Sequence, residues 1–254
     1  MLFFTLTTLK SPEFCIFLQI FLCFFSLLSL FYFWGEKGIL AYVILAVVAA
    51  NIQVLKVADF FNGTAALAQG TIVFCSIFWA FDLLVEHFGT QSAKDVLWLS
   101  FLLPFVFTLW MLLTIILPPT QLKGNLLIQN AMETLFWPQP RLMIASLCAY
   151  FVAQGSDIWV FATLKKVFKR RFLGMRGLLS SLFGTCLDHI VFTILAFRFF
   201  TDTPLTWTIL LKAYLLGGYG LRLSLTIFSP LALYAARILG SKMPNHHKAT
   251  KKVL

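Results

Sequence analysis

Residues 178–200 read LLSSLFGTCLDHIVFTILAFRFF. A helix needs about 20 apolar residues to cross the hydrocarbon core of a bilayer, and this run is long enough. Asp188 nevertheless falls near its midpoint, with His189 beside it. A carboxylate at that depth costs at least about 2.5–3.5 kcal/mol, so it needs a partner, a proton or water. Ser180, Ser181, Gly184 and Thr185 line the approach to it. Small residues of this kind let membrane helices approach closely. The stretch reads as one wall of a helical bundle, with a polar, small-residue stripe turned away from lipid.

The rest of the chain supports that reading. Its 254 residues are 60% hydrophobic and 12% charged, where a soluble domain carries about 25% charged residues. Mean hydropathy is +0.88. Seven segments are long and apolar enough to span: 14–34, 38–57, 65–85, 96–117, 142–164, 178–200 and a longer one over 205–239. The expected fold is all-α, a polytopic helical membrane protein of about seven spans. Residues 1–37 form an additional N-terminal helix and turn, 38–240 a six-helix core, and 241–254 a basic tail. The last segment exceeds one upright span, and Gly217-Gly218-Tyr219-Gly220 interrupts it, so it is either one long tilted helix or a helix with a broken first part. The first span is too long for a signal-peptide core and lacks a small-residue cleavage site, so it reads as a retained helix. Residues 126–136, between proline- and glycine-containing breakers, fit a short interfacial helix.

Basic residues orient the bundle. The net charge of +10 is concentrated in the connection 165–177, with six basic residues from Lys165 to Arg176 and no acid, and in the tail at Lys242, Lys248, Lys251 and Lys252. Both segments are expected on the cytoplasmic side, with Arg176 a topological or anchoring residue. The charge therefore speaks for topology and a lipid bilayer, not for nucleic acid. Cys15, Cys23, Cys75, Cys148 and Cys186 all lie in apolar runs without a C-x-x-C pair, so they are expected as buried thiols, with neither disulfide nor metal site.

Only ten acids are present, and four fall within or at the ends of spans: Asp82, Glu86, Asp157 and Asp188. Asp82 and Glu86 share a helical face at i, i+4, although Glu86 also fits a plain interfacial charge. Gln154 and Asp157 share a face at i, i+3. Arg222 lies inside the last segment, where it is a candidate structural partner for Asp157 or Asp188. His189 and Glu86 are candidates for proton coupling, although His189 points about 100° away from Asp188 around the helix. No G-x-x-x-x-G-K-[ST], H-E-x-x-H or G-x-S-x-G occurs; these are the signatures of a P-loop, a zinc protease and a nucleophile elbow. Inward acids, an amide and many aromatics fit a small-molecule permease, with no cofactor and no catalytic residue.

Linked motifs sharpen this. Phe81-Asp82-Leu83-Leu84-Val85-Glu86-His87-Phe88-Gly89, Ala145-Ser146, Ala149-Tyr150, Gln154-x-x-Asp157 and Phe161-x-x-Leu164-Lys165 follow in order. Arg176, Ser180-Ser181, Asp188, Phe192 and Ala196-Phe197 continue the series, and Asn51 precedes it. Over roughly residues 45–235 this pattern resembles the queuosine precursor transporter family, also called the vitamin-uptake-like transporters. Arg222 and Ser229-Pro230 depart from it, since relatives often carry lysine and Thr-Pro there.

The resemblance implies inward transport of 7-deazaguanines across a bacterial inner membrane: 7-cyano-7-deazaguanine, 7-aminomethyl-7-deazaguanine or the base queuine, salvaged for tRNA modification. One carboxylate can accept both N–H groups of a guanine-like edge as a charge-assisted pair. Asp157 and Asp188 are the leading substrate contacts, then Gln154 and Asp82, with Asn51 and Arg222 behind them. Trp79, Tyr150 and Trp159 are candidate stacking residues, worth about 1–3 kcal/mol per base in nucleic-acid sites. Two other readings stand beside this one: the substrate-binding subunit of an ATP-coupled vitamin transporter, and an intramembrane aspartyl enzyme built on Asp157 and Asp188. A homo-oligomer is left open.

Overall fold

The computed structural model describes residues 11–60, 65–120, 124–137, 139–169, 171–200, 204, 206–209 and 217–241. Helices dominate, as they must where no water is available to the backbone and every N–H and C=O has to be satisfied within the segment. The first, α1, runs Pro12–Gln53 and is capped by Ser11, whose Oγ accepts from the Phe14 N–H at 3.4 Å. A straight helix of this length would extend about 60 Å, twice the hydrocarbon thickness. Gly35 breaks it at φ 58° and ψ −130°, a conformation only glycine adopts without strain. Beyond the break the chain reverses. A Cβ on Gly38 would lie 2.0 Å from the Leu30 carbonyl oxygen, and Gln19 Nε2 donates to Gln53 Oε1 at 3.1 Å. The two limbs, 12–34 and 36–53, therefore lie antiparallel as separate crossings.

A two-stranded antiparallel hairpin follows: β1 (Val57–Phe60) and β2 (Ala65–Ala68), with Val57 opposite Ala68 and Phe60 opposite Ala65. This corrects the expected spans 38–57 and 65–85. The second limb stops at Gln53, and the next helix starts at Gly70. Hydropathy does not separate a short apolar strand from the end of an apolar helix.

The remaining helices are α2 (Gly70–His87), α3 (Thr90–Ile116), the short α4 (Asn125–Phe136), α5 (Gln139–Val167), α6 (Leu173–Ile194), α7 (Trp207–Ile209), α8 (Gly217–Thr226) and α9 (Phe228–Ser241). Gly89, at φ 95°, turns α2 into α3. A π-helical turn, Leu195–Phe199, extends α6 and sets the Arg198 guanidinium 5.5 Å from the Trp207 ring centroid. Among the described residues, six helical stretches are long and apolar enough to cross a membrane. Because α1 supplies two limbs, these amount to seven candidate crossings, the last being α8–α9. Gly217–Gly220 lie within α8, not at a break; the interruption comes at Ile227. Pro230 explains its position, since it has no N–H for the Thr226 carbonyl. Residues 210–216 and the basic tail lie outside the described residues.

The central helix is α2: 83% of its spanning window is buried, against 22% for α3. It packs against both limbs of α1 and against α3, α5, α6, α8 and α9, while α6 runs along α5. One end of the bundle gathers the ends of three elements: a Cβ on Gly240 would meet His87 at 3.2 Å and Phe31 at 3.6 Å. Lys165 and Arg176 reach Glu86 at that same end, so the end of α9 and the α5–α6 connection share a face. The connection itself is shorter than expected, because α5 continues to Val167 and α6 begins at Leu173. Cys23 and Cys75 are buried, Cys186 is half-buried, and Cys15 and Cys148 are exposed on the outer surface. That corrects the expectation that all five are enclosed.

Candidate functional site

A recess lies toward the hairpin end of the bundle, between the second limb of α1, α2, α5, α6 and α8. Asn51, Phe74, Ser146, Asp188, Phe192 and Arg222 all line it. Arg222 Nη1 donates to Asp188 Oδ2 in a close ion pair whose side chains are 15% and 5% exposed. The Asn51 amide donates to the Val47 carbonyl of its own helix at 2.9 Å. Phe74 is braced from behind by Tyr150, whose ring lies edge-on at 6.2 Å. Tyr150 is itself fixed by a 2.6 Å hydrogen bond to Ser100 of α3. The recess holds about 40 Å³, room for roughly three waters. Small-molecule sites enclose about 300–1,000 Å³, so this conformation is contracted.

Deeper in the bundle a second set of polar groups joins four helices. Asp82 of α2 is fully buried and accepts three hydroxyl donors: Ser180 at 3.0 Å on Oδ1, and Ser181 at 3.1 Å and Ser229 at 2.6 Å on Oδ2. Ser180 and Ser181 belong to α6 and Ser229 to α9, so the carboxylate ties three helices together. Asp157 of α5 packs against α6 one turn beyond Ser180, where a Cβ on Gly184 would lie 3.2 Å from the Asp157 Cβ. Asp157 is fully buried, and neither of its oxygens has a hydrogen-bond partner among the described residues. Both polar atoms of the buried Gln154 side chain and Nε1 of Trp79 are in the same condition.

Nearer the end of α2, Glu86 is held between two cations. Arg176 approaches it in bidentate fashion at 3.1 and 3.3 Å, and Lys165 lies at 3.1 Å. Lys165 also donates to the carbonyls of Val85 and Glu86 at 3.0 and 2.9 Å, so it caps the helix where the macrodipole is negative. Arg176 is fully buried, with its guanidinium 5.1 Å from the Phe161 ring centroid. It is an interior ion-pair residue and not the anchor that its place beside a basic loop suggests.

The structure thus brings Asn51, Asp188 and Arg222 together in one recess and places Asp82, Asp157 and Gln154 below it. His189 is buried on α6 outside the recess lining. Trp79 packs against Phe228 at 6.1 Å, also outside that lining. Trp159 is 67% exposed on the outer surface of α5, away from the recess lining. It stands two residues from Asp157, about 200° around the helix. The aromatic walls of the recess are Phe74 and Phe192, of which only Phe192 lies in a recognised motif. Ser180-Ser181 belong to the motif series and Ser229 departs from it, but nothing in their spacing points to a shared carboxylate.

Residues 68–236 match the family described as "Putative vitamin uptake transporter". A relative from Bacillus subtilis (strain 168), named "Probable queuosine precursor transporter", is 28% identical over 228 residues, covering 89% of this chain and 94% of the relative. No solved structure matches the chain.

Proposed function

The chain belongs to the vitamin uptake transporter family, and on that premise we propose that it imports 7-deazaguanine precursors of queuosine, or queuine itself, across a bacterial inner membrane. The observation that carries the proposal is the recess, lined by a carboxylate, a guanidinium, an amide and two phenyl rings. In this reading Asp188 accepts the adjacent N–H groups of the substrate's guanine-like edge. Arg222, released from Asp188, and Asn51 donate to the ring carbonyl, while Phe74 and Phe192 cover the ring faces. Gln154 serves a later stage of passage, because its amide is unbonded in this conformation and lies deeper.

A 7-deazaguanine needs more room than this recess offers, so substrate entry requires the helices around it to part. The face carrying Lys165, Arg176 and the end of α9 is assigned to the cytoplasm, in keeping with the preference of basic residues for that side. The recess then opens toward the exterior, as import requires. The test is salvage in cells that neither make these precursors nor transport them. Expression of the chain with any of the three bases supplied should restore queuosine to tRNA, read by nucleoside mass spectrometry. Absence of queuosine with all three, despite membrane expression, refutes the assignment.

A further inference from the structure

Asp157 and Asp82 are neighbouring buried carboxyl groups with opposite surroundings. Asp82 has three hydroxyl donors, an arrangement suited to an anion. Asp157 has none: its oxygens are enclosed and unpartnered among the described residues. The Ser180 hydroxyl also lies close enough to Asp157 to interact with it, but its well-formed hydrogen bonds go to Asp82 at 3.0 Å and to the Gly177 carbonyl at 3.1 Å. The charges facing Asp157 are few. Asp82 projects from α2, and Arg176 of α6 acts on Asp82 while bound to Glu86. Around Gly184, where Asp157 packs, the other neighbours are uncharged: Phe78 of α2 and the Ala153 carbonyl. From α9 the group in this cluster is the uncharged Ser229.

An ionised carboxylate without a donor, beside a second carboxylate and out of water, is a state that proteins avoid by taking up a proton. We propose that Asp157 is a proton-binding site, protonated in this closed conformation, and that its proton is exchanged as the bundle opens, coupling substrate movement to a proton gradient. No covalent bond changes. A proton is bound from the recess side with substrate and released to the face bearing Lys165 and Arg176 when water reaches Asp157. Asp188 is unsuited to the role because Arg222 already neutralises it, and Glu86 is held by two cations. The substrate half of this coupling rests on the transport reading above; the proton site does not.

The test uses the full chain in lipid nanodiscs and in proteoliposomes. Infrared spectroscopy at neutral pH should show a protonated-carboxyl C=O band that is lost in Asp157→Asn, retained in Asp82→Asn and shifted in Asp157→Glu. In proteoliposomes, uphill accumulation of a 7-deazaguanine should collapse with a protonophore. Asp157→Asn should lose both accumulation and substrate-linked proton movement, and Asp157→Glu, which keeps a carboxyl group, should recover part of each. A band that survives in Asp157→Asn, or wild-type accumulation insensitive to the protonophore, overturns the proposal. Loss of the band in Asp157→Asn without uptake of any 7-deazaguanine by the wild type upholds the proton site and refutes the substrate reading instead.

Discussion

Replacing Ser229 by alanine removes the shortest of the three bonds to Asp82, at 2.6 Å between fully buried side chains. A hydrogen bond to a charged group contributes about 1.5–3 kcal/mol. Ser180 and Ser181 still serve the carboxylate, so Asp82 is not orphaned, and the loss is expected near the middle of that range, about 2 kcal/mol. Ser181→Ala removes a 3.1 Å bond and should cost less. The double variant leaves Oδ2 without a donor and should exceed the sum of the single losses, with a coupling of about 0.5–3 kcal/mol. Reversible unfolding in mixed micelles titrated with denaturing detergent, followed by tryptophan fluorescence, measures all three. A Ser229→Ala variant within about 0.5 kcal/mol of wild type, the range of an indifferent surface change, would refute the argument that Asp82 holds α2, α6 and α9 together.

Gly38→Leu should separate the limbs of α1, since even a Cβ there falls 2.0 Å from a backbone oxygen. A destabilisation of at least about 1–3 kcal/mol is expected in the same unfolding assay. Trp159→Ala should leave substrate uptake within twofold of wild type, about 0.4 kcal/mol, because the ring faces lipid; a larger loss in uptake per correctly inserted molecule would return it to the site.

The crossings were legible because apolar length is a strong signal, and the turn at Gly35-Glu36-Lys37-Gly38 is where the α1 limbs reverse. The hairpin was legible in Asn62-Gly63, the dipeptide that favours a tight hairpin turn, and was missed because hydropathy alone assigned Val57 and Ala65–Ala68 to the neighbouring spans. Trp159 was legible in principle: Tyr150, Gln154, Asp157 and Phe161 follow one helical face and are all buried, and Trp159 lies opposite. Which cation meets which acid was not legible. Arg222 could equally have been placed on Asp157, and Arg176 looked like part of a loop, because spacing along one helix carries no information about a partner on another. The same limit hid the contrast between Asp82 and Asp157, whose difference lies entirely in serines from α6 and α9.

The transport proposal turns on Asp188, which would bind a 7-deazaguanine in the recess during passage. Uptake of labelled queuine, 7-cyano-7-deazaguanine and 7-aminomethyl-7-deazaguanine into proteoliposomes of the purified chain, without ATP or other proteins, tests it most directly when wild type and Asp188→Asn are compared. The account predicts saturable uptake of at least one base by the wild type, competition by unlabelled base but not by adenine, and a fall of about tenfold or more in Asp188→Asn, the loss of roughly 1.4 kcal/mol expected from a charge-assisted contact. Equal uptake by the two proteins, or none by the wild type, would contradict it.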